Sequence, residues 1–548
     1  MKKALKFLIV PLVLVVLFSA FKTNEKYFEI AKNLDIFATL YKEVNTYYVD
    51  EVNPTEVMNR GIEAMLKSLD PYTNYIPEDR IEDYRTMTTG EYGGIGASIS
   101  NRNGRTLITM PFEGFPAAES GIKVGDEIVE IDGISLEGKN SEEVSRLLKG
   151  QAGTAVKVKV RRYGSEEPLP FTLVREKIHI DNVTYSGMVT EDIGMIRLTD
   201  FTRNASKEVK TALLDLKERG AEKIILDLRG NPGGLLYEAI NISNIFLPKG
   251  KEIVSTKGKV EEWNKSYHAL NTSVDEEIPL AVLINRGSAS ASEIVAGSIQ
   301  DYDRGVVIGQ NSYGKGLVQA TRPLSFNSKL KVTVAKYYIP SGRCIQAIDY
   351  SNRNEDGSVG KLPDSLRVAF KTQNGRTVYD GGGIKPDVEV EREPYAPITQ
   401  SLLRKGLLFE YANKYFAEHP EIEEAREFAL SDDEYESFAQ WLTGKEYDYT
   451  TDVERMLAQL ERTAEEEESF EDIKSHIEDL HQAVSHDKEQ DVQDFKPEIR
   501  EELEREIATR YFLASGGIES SFDDDQEIRK ALEILSDETK LQGVLNVN

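Results

Sequence analysis

The spacing of apolar residues changes along the chain, and each change predicts a different kind of secondary structure. Residues 25–88 place apolar side chains at near-helical intervals, which predicts a helical N-terminal segment. Residues 89–175 have a β pattern, in which AVKVKVRR alternates valines with basic residues and DEIVEIDG ends in a hairpin signal. One short helix is predicted there, because Asn140 or Ser141 can cap the segment NSEEVSRLLKG. We therefore expect a helical segment followed by a small β-rich domain.

Residues 176–395 repeat the order strand, helix, strand. Continuous apolar segments such as KIILDL and PLAVLIN predict buried strands, and the segments between them have helical periodicity. This alternation predicts an α/β domain whose sheet is covered on both faces. Residues 396–548 are charged and helical in pattern, with helices expected over Val453–Leu460 and Ile499–Phe512. The fold class expected for the whole chain is therefore multidomain α+β, ending in an acidic all-α domain.

Charge narrows the range of functions. The 548 residues include 67 Lys and Arg against 94 Asp and Glu, a formal net charge of −27, and residues 401–548 alone hold 16 basic and 40 acidic side chains. We expect no nucleic-acid partner, because nonspecific binding depends on basic side chains that neutralise phosphates. The single cysteine, Cys344, excludes an internal disulfide framework and a Cys-rich zinc module. No metal and no cofactor are predicted.

The first residues have the layout of a targeting signal. Three lysines precede the apolar run Phe7–Phe21, as in a secretory signal peptide. The run is shorter than the ~20 apolar residues of a usual bilayer-spanning helix. Ala20 suits a cleavage site, but Phe18 stands where a second small residue is needed. Residues 1–24 are thus expected to be a cleaved signal peptide or a retained inner-membrane anchor, with the remaining chain in the cell envelope of a bacterium, on the periplasmic side.

Three Gly- or Ser-rich turns follow apolar strands in the α/β region. They are DLRGNPGGLL at 227–236, RGSASASEIVAG at 286–297 and GQNSYGKGLVQ at 309–319. Open α/β sheets place ligands and reacting groups at such strand ends. In the second turn, small hydroxyl side chains stand at the start of a helix, where free N–H groups favour developing negative charge. The serine run alone is equally compatible with helix capping.

Histidine is scarce in the α/β region. Of the six histidines, only His179 and His268 lie there, and neither is in a turn of active-site type. If a serine is the nucleophile, a neutral lysine is the natural alternative base. Lys315, between Gly314 and Gly316, is the candidate, although a solvated turn lysine would have the same local sequence.

Several segments together carry a family resemblance. They are LDPYTNYIP at 69–77, GGIGASIS at 93–100, VGDEIVEIDG at 124–133, DLRGNPGG at 227–234, NRGSASASEIVAG at 285–297 and SYGKGLVQ at 312–319. In this order and spacing they resemble the C-terminal processing, or tail-specific, serine peptidases over residues 30–390. The resemblance implies a PDZ-like domain at 89–175, a Ser–Lys peptidase domain at 176–395, and hydrolysis of peptide bonds in proteins recognised by their C-terminal tails.

The resemblance also implies the site residues. The family's nucleophile corresponds to Ser290, its general base to Lys315 and its orienting glutamine to Gln319. Its oxyanion hole corresponds to the backbone amides of Gly234 and Ala291. The implied reaction passes through an acyl-enzyme, and Lys315 must be neutral to accept the hydroxyl proton. A further family position falls on Asp301, for which a structural role at a helix end is an equal alternative.

For the PDZ-like domain, the resemblance implies a groove that binds a free peptide C-terminus. The loop Gly93, Gly94, Ile95 and Gly96 would offer backbone N–H groups to the carboxylate, and the following strand would pair with the peptide. Val144 and Leu148 would line a pocket for an apolar terminal side chain. The expected partners are therefore proteins or peptides with apolar C-termini.

Two other functions, nucleotide binding and non-catalytic peptide binding, fit parts of the sequence. Gly309-x-x-x-x-Gly314-Lys315 resembles a P-loop, but Gly316 stands where magnesium needs a Ser or Thr hydroxyl, and a strand rather than a helix is expected next. A non-catalytic PDZ scaffold would require a damaged catalytic set, whereas Ser290, Lys315 and Gln319 are all present. For residues 396–548 the sequence leaves solvation, docking of a basic partner or adaptor, and homo-oligomerisation open.

Overall fold

The computed structural model describes residues 27–354, 358–391, 393–467, 470–484 and 488–546. The predicted signal or anchor at residues 1–24 lies outside the described residues. The chain divides into two compact units, one formed by the described residues up to Glu78 with Gln319–Thr333, the other by Asp79–Val318 and the chain from Val334 onward. Among the described residues, no helix has the length and apolar character needed to span a membrane.

The described part of the smaller unit contains two helices, a short strand, most of the strand Leu317–Pro323 and the first residues of the strand Lys329–Tyr338. The helices cover residues 27–47 and Pro54–Lys67, and Asn53 caps the second by accepting from the Thr55 and Glu56 amides. The strand Asn74–Ile76 pairs antiparallel with the first residues of the strand Lys329–Tyr338. The prediction of a wholly helical segment over 25–88 is therefore wrong at this strand.

The β-rich domain belongs to the larger unit. Its strands are Glu91–Gly94, Ala97–Arg102, Arg105–Pro111, Glu127–Ile131, Ile134–Ser135, Ala155–Arg161, Leu169–Val174 and Glu176–His179, and its helices are Ile81–Thr89, Pro116–Glu119 and Ser141–Leu148. Val156, Val158 and Val160 are fully buried, as their alternation predicts. Asn140 caps the helix Ser141–Leu148 through a reciprocal capping box with Glu143.

A six-stranded sheet forms the centre of the α/β domain. Its strand order is Val183–Met188, Ile193–Leu198, Lys223–Asp227, Leu280–Ile284, Val306–Gly309 and Val388–Glu389. The first pair is antiparallel, and every other neighbouring pair is parallel. The helices are Ala205–Glu218, Leu236–Phe246 and Ala291–Asp301. The remaining strands of the described chain are Glu252–Gly258, Lys265–His268, Leu317–Pro323, Ile348–Arg353, Val359–Lys361, Ala369–Lys371 and Thr377–Tyr379. Single 3₁₀ turns lie at Glu261–Trp263 and Asp364–Leu366, and one more, Glu78–Arg80, lies before the β-rich domain.

The two faces of this sheet are covered by different parts of the chain. Ile224 and Leu226 face the three helices of the α/β domain, whereas Ile225, on the opposite face, packs with Ile528 and Leu535. Coverage of both faces is therefore confirmed, but the second layer comes from the last helices of the chain. Strand alternation alone cannot reveal which distant segment supplies the covering layer.

The rest of the C-terminal region is helical, as predicted. Its helices are Pro397–Lys405, Leu407–Glu418, Asp432–Leu442, Asp452–Glu466, Phe470–Val484, Lys488–Asp494, Lys496–Glu519, Gln526–Leu535 and Glu538–Leu545. Both helices expected from the sequence lie inside two of these, Asp452–Glu466 and Lys496–Glu519. The long helix Lys496–Glu519 is interrupted at Leu513, which has φ 52°. The predicted multidomain α+β fold class is confirmed.

The covering layer gives a test of the fold. Leu535→Ala removes a side chain that is 3% exposed on the second face of the sheet. Truncating a buried leucine typically costs about 2–5 kcal/mol, so we expect a clearly lower melting temperature of the larger unit. The control is Leu480→Ala, which removes a leucine that is 46% exposed and should leave melting almost unchanged. Equal melting of both variants would contradict the packing of the C-terminal helices on the sheet.

Candidate active site

The three Gly- or Ser-rich turns lie side by side at one edge of the sheet. They follow Lys223–Asp227, Leu280–Ile284 and Val306–Gly309, which are adjacent and parallel, so their carboxyl ends point the same way. Backbone hydrogen bonds join the turns, since the Ala289 amide donates to Asn231 O at 3.0 Å and the Tyr313 amide to Ser288 O at 2.9 Å. The segments singled out in the sequence therefore form one site.

The three serines of the run 288–292 have different environments. Ser288 Oγ donates to Leu228 O at 2.8 Å and Ser292 Oγ to Asn231 O at 2.9 Å, and both side chains are buried. These two hydroxyls hold the neighbouring turn in place. Ser290, between them, is half-buried. Of the three serines, Ser290 is the one that is not fully buried.

Ser290 also has an unusual backbone. Its φ is 55° and its ψ −109°, a conformation that costs a non-glycine residue about 1–3 kcal/mol and is concentrated at functional sites. It stands immediately before the helix Ala291–Asp301. Gly233 approaches it so closely that a Cβ at this glycine would lie 2.9 Å from Ser290 Cβ. The turn at 227–234 therefore has to carry glycine at this point.

Glu293 binds the turns of Ser290 and Lys315 together. Its side chain is fully buried, and its Oε2 accepts from the Ser290 amide at 2.7 Å and the Lys315 amide at 2.9 Å. Its Oε1 accepts from Ser312 Oγ at 2.5 Å and the Gly314 amide at 2.8 Å. Burial raises the pKa of Glu293 above its ordinary value, and these donors counteract the shift by stabilising the carboxylate.

The turn that carries Lys315 is fixed on several sides. The Gly316 amide donates to Gln346 Oε1 at 2.8 Å, and Tyr337 Oη donates to Lys315 O. Gly314 has φ 86°, and a Cβ there would lie 2.3 Å from Ala347 Cβ, so only glycine fits. Lys315 itself is half-buried. The Lys315 amide is thus held in place, and it donates to the same Glu293 oxygen as the Ser290 amide.

Two backbone amides next to Ser290 have no acceptor among the described residues. Ala291 is the first residue of its helix, where an N–H has no intrahelical partner. The Gly234 amide follows Gly233, which lies against Ser290, while its neighbour Leu235 donates to Phe201 O at 2.8 Å. These are the two amides that the resemblance assigns to an oxyanion hole. Unpaired donors of this kind can stabilise negative charge that develops on a substrate oxygen.

Gln319 lies in the strand Leu317–Pro323 and belongs to the smaller unit. Its side-chain nitrogen donates to Thr333 Oγ1 at 3.3 Å. Thr333 in turn donates its amide to Thr73 Oγ1 at 3.2 Å, and Asp70 accepts from the Thr73 amide and hydroxyl. The motif LDPYTNYIP thus forms the turn that supports Thr333. The orienting role of Gln319 stays a prediction.

The remaining polar candidates have structural partners. His179 Nε2 lies 3.2 Å from Glu208 Oε1, and His268 Nε2 lies 3.9 Å from Glu252 Oε2. Asp301 is buried at the end of its helix and pairs with Arg343 at 2.9 Å, which agrees with the structural alternative for this residue. The segment after Lys315 is a strand, so the helix N-terminus that a P-loop needs is not there.

A groove of about 430 Å³ lies between the strand Ala97–Arg102 and the helix Ser141–Leu148 of the β-rich domain. Gly94, Ile95 and Leu148 line it, as predicted. Val144 does not line this groove and is fully buried in the core of this domain, so its role in the pocket stays a prediction. The helix turns Ser141 and Ser145 toward the groove instead.

Gly93 and Gly96 do not line the groove, and the binding of a carboxylate by their amides stays a prediction. Gly93 O accepts from the Gly150 amide, and a Cβ at Gly93 would lie 2.0 Å from Gly150 O. Gly96 has φ 73°, and its carbonyl accepts from the Phe112 amide. Both glycines allow the loop to pass close to neighbouring backbone and side chains, whereas Gly94 and Ile95 face the groove.

Sequence reasoning missed Glu293 and Arg229. Glu293 stands three residues after Ser290, the spacing of a capping box, and this signal could have identified it. Arg229 lies inside a recognised motif, but its partners come from the far end of the chain. Local sequence contains no signal for that pairing.

Comparison with known proteins identifies the family and the domains of this chain. Family models described as "Peptidase family S41", "PDZ domain" and "Probable PDZ-protease, C-terminal helical domain" match residues 192–352, 112–162 and 398–535. A carboxy-terminal-processing protease of Bartonella bacilliformis is 38% identical over 339 residues, 61% of this chain and 77% of the relative. The chain belongs to peptidase family S41. The family resemblance expected from the sequence is therefore confirmed, and the chain is a serine protease with a PDZ domain.

Two further proteins are similar to this chain over different shares of their length. A protein of Staphylococcus aureus named "Probable CtpA-like serine protease" is 38% identical over 316 residues, 57% of this chain and 62% of the relative. The solved structure of a photosystem II D1 C-terminal processing protease is 26% identical and covers 65% of this chain and 92% of its own, with a TM-score of 0.34.

The Glu293 contacts generate a prediction. In Glu293→Gln, the side-chain NH₂ must face at least one backbone N–H that the carboxylate now accepts, and an unpaired buried donor costs about 1–3 kcal/mol. Because the Ser290 or Lys315 turn must then move, we expect kcat to fall about 10–100-fold in a peptide-cleavage assay.

The matched control is Glu208→Gln. Glu208 also accepts from two backbone amides, those of Asn182 and Val183, but it has no contact with Ser290 or Lys315 in its hydrogen bonds. We expect this variant to lose some stability and to keep its kcat. A Glu293→Gln enzyme with unchanged kcat, or equal losses in both variants, would contradict the positioning of the two turns by Glu293.

Proposed function

We propose that this S41 protease is an endopeptidase of the bacterial cell envelope that uses Ser290 as its nucleophile and Lys315 as its general base. The observation that carries the assignment is the shared carboxylate oxygen of Glu293, to which the Ser290 and Lys315 amides both donate. Two residues fixed on one atom keep a constant separation through the reaction, and this is what proton transfer between their side chains requires.

In the proposed reaction, Ser290 Oγ attacks the scissile carbonyl carbon while the neutral Lys315 amine takes the hydroxyl proton. The carbonyl oxygen becomes an oxyanion, and the Gly234 and Ala291 amides donate to it. Lys315 passes the proton to the leaving amine as the C–N bond breaks, which leaves an ester on Ser290. A water molecule, deprotonated by Lys315, then attacks the ester carbonyl carbon, and Lys315 returns the proton to Ser290 Oγ as the C–Oγ bond breaks and the carboxyl product leaves. Gln319 has the role of orienting the lysine amine without adding a charge that would favour the ammonium form.

The PDZ domain is proposed to select substrates by their free C-terminus. Gly94 and Ile95 stand at one end of the groove and the edge of Ala97–Ser98 runs along it, so a peptide can add as a strand with its carboxylate at the loop. Ile95 and Leu148 give the groove its apolar character. The expected substrates are therefore proteins with apolar tails. Residues 1–24 would direct the enzyme to the envelope, as a signal peptide or as an inner-membrane anchor.

The first test uses the chain without residues 1–24 and an unfolded protein substrate with an apolar C-terminus. Ser290→Ala and Lys315→Ala should each abolish cleavage, because one removes the attacking oxygen and the other the proton acceptor. Circular dichroism should show that both variants are folded. Cleavage that persists in folded Ser290→Ala protein would reject the assignment and favour a scaffold whose substrate is cut by a contaminant.

The control concerns the histidines. A His179→Ala/His268→Ala double variant should cleave the same substrate with an unchanged pH profile of kcat/KM, because both imidazoles pair with carboxylates away from the proposed chemistry. Loss of an acidic limb of the profile in this variant would instead identify a histidine base.

Tail recognition has its own test. Ser145→Glu places a carboxylate in the groove, where it should repel the substrate's C-terminal carboxylate and raise KM for a tail-bearing protein. Amidation of the substrate's C-terminus should also raise KM in the wild-type enzyme, because it removes the carboxylate that the loop is proposed to bind. The matched control is Ser120→Glu, at an exposed position of the PDZ domain that does not line the groove. Equal cleavage of free-acid and amidated substrates would contradict the role of the groove and leave the chemistry of Ser290 untouched.

A further inference from the structure

The C-terminal helical region reaches the catalytic edge of the sheet through an ion-pair cluster. Arg229 lies in the turn that follows the strand Lys223–Asp227. Its Nε and Nη2 donate to the two oxygens of Asp227, each at 2.9 Å, so this pair is bidentate. Asp227 is fully buried, and the Arg229 side chain is 10% exposed. Asp227, at the end of the strand, therefore accepts hydrogen bonds from two of the three guanidinium nitrogens.

The third nitrogen is satisfied by the far end of the chain. Arg229 Nη1 donates to Asp525 at 2.7 and 2.9 Å and to Glu527 at 3.3 Å. The two acidic side chains are 13% and 4% exposed. Asp525 is also the N-cap of the helix Gln526–Leu535, because its Oδ1 accepts from the Ile528 amide at 3.0 Å. The position of this carboxylate is thus tied to a helix that packs on the sheet.

The charges of Arg229 and its three carboxylate partners hold the cluster in one arrangement. Burial alone would lower the pKa of Arg229, but the carboxylates of Asp227, Asp525 and Glu527 together raise it. Buried ion pairs contribute little net stability compared with apolar packing, because desolvation offsets their attraction. Removing one partner, however, leaves the other buried and poorly paired. Such a cluster therefore fixes a geometry more strongly than it stabilises the fold.

The geometry that it fixes is that of the turn next to Ser290. Beyond Arg229, the Gly230 amide donates to Asn285 Oδ1, and Asn231 O accepts from the Ala289 amide and from Ser292 Oγ. The turn then passes against Ser290 at Gly233 and presents the Gly234 amide. A displacement of Arg229 would consequently move the donor of the proposed oxyanion hole.

We propose that Asp525 and Glu527 are positioning residues of the peptidase site, which hold Arg229 and with it the turn 227–234 in the conformation needed for oxyanion stabilisation. The peptidase is complete only when the C-terminal helix Gln526–Leu535 is seated on the sheet. This inference rests on the proposed function for its effect on activity, while its structural content, the support of the turn, stands separately.

The test is an Asp525→Asn/Glu527→Gln double variant of the chain lacking residues 1–24. Both changes keep the side-chain volume, and asparagine remains a good N-cap, so the helix should stay folded. We expect kcat to fall about 10–100-fold, with KM changed less than about twofold, because the donor needed in the transition state is displaced while substrate binding is not. The Asp525→Asn single variant should show a smaller loss of the same kind.

The matched control is Asp523→Asn. Asp523 pairs with Arg426 two residues away from Asp525 in the same segment, but not with Arg229. This variant should keep both kcat and KM. A second comparison introduces Arg229→Met, after which Asp525→Asn/Glu527→Gln should reduce kcat no further, because the two carboxylates act through Arg229. Unchanged kcat in the folded double variant, an effect confined to KM, or additive losses with Arg229→Met would each overturn the proposal.

Hydrogen exchange separates this proposal from the proposed function. In the double variant, amides of residues 228–234 should exchange faster than in the wild type, whereas those of the PDZ domain should not, and Asp523→Asn should leave the turn unaffected. If Ser290→Ala retained activity, the proposed function would fail while this measurement still reported on the turn. Unchanged exchange at 228–234 would reject the support of the turn by Asp525 and Glu527, whatever the nucleophile.

Discussion

The candidate site depends on one buried carboxylate, that of Glu293. An ionised carboxylate without partners in the protein interior is prohibitively costly, so its oxygens must find donors when the chain folds. Here the donors come from the start of its own helix and from the turn after the next strand. Both turns must therefore adopt one conformation before Glu293 can be buried, and Ser290 and Lys315 acquire their relative position as a consequence. The strained φ of Ser290 is maintained by the same contacts, because relaxing it would withdraw the Ser290 amide from Glu293.

Much of this fold was predictable because its signals are local. Alternating valines, a capping asparagine and continuous apolar strands each report on neighbours in sequence, and Val156, Asn140 and the strand Leu280–Ile284 lie where those patterns place them. The strand Asn74–Ile76 was missed because three residues are too few to show a period, and its partner lies more than 250 residues away. Val144 lies on the same side of its helix as Leu148, but its side chain is part of the core, as is common for an apolar residue on an amphipathic helix.

The site itself was predictable from the family motifs, but not from the chemistry of isolated residues. Three serines in a run of five are equivalent in sequence, and only the structure distinguishes them, by giving Ser288 and Ser292 buried carbonyl acceptors. Likewise, a lysine between two glycines has no catalytic meaning until its turn is tied to the nucleophile through Glu293. The ion pairs of Arg229 were beyond prediction for a different reason, because they join residues 296 and 298 positions apart in the chain.

Glu293 and Arg229 illustrate two ways of fixing a buried charge beside a reaction centre. Glu293 accepts from neutral N–H and O–H dipoles, which stabilise a buried carboxylate. Arg229 is instead balanced by carboxylates, and the arrangement is asymmetric, because burial and the neighbouring Asp525 raise the pKa of Glu527, whereas Arg229 keeps the pKa of Asp525 low despite burial. Asp525 and Glu527 both accept from the guanidinium, Asp525 through two contacts of 2.7 and 2.9 Å and Glu527 through one of 3.3 Å. The four donors to Glu293 come from the turns that it joins. Arg229, in contrast, pairs with three carboxylates. Because Asp525 makes the shorter contacts with Arg229, the turn at Arg229 depends more on Asp525 than on Glu527, whereas the two turns at Glu293 both depend on one carboxylate.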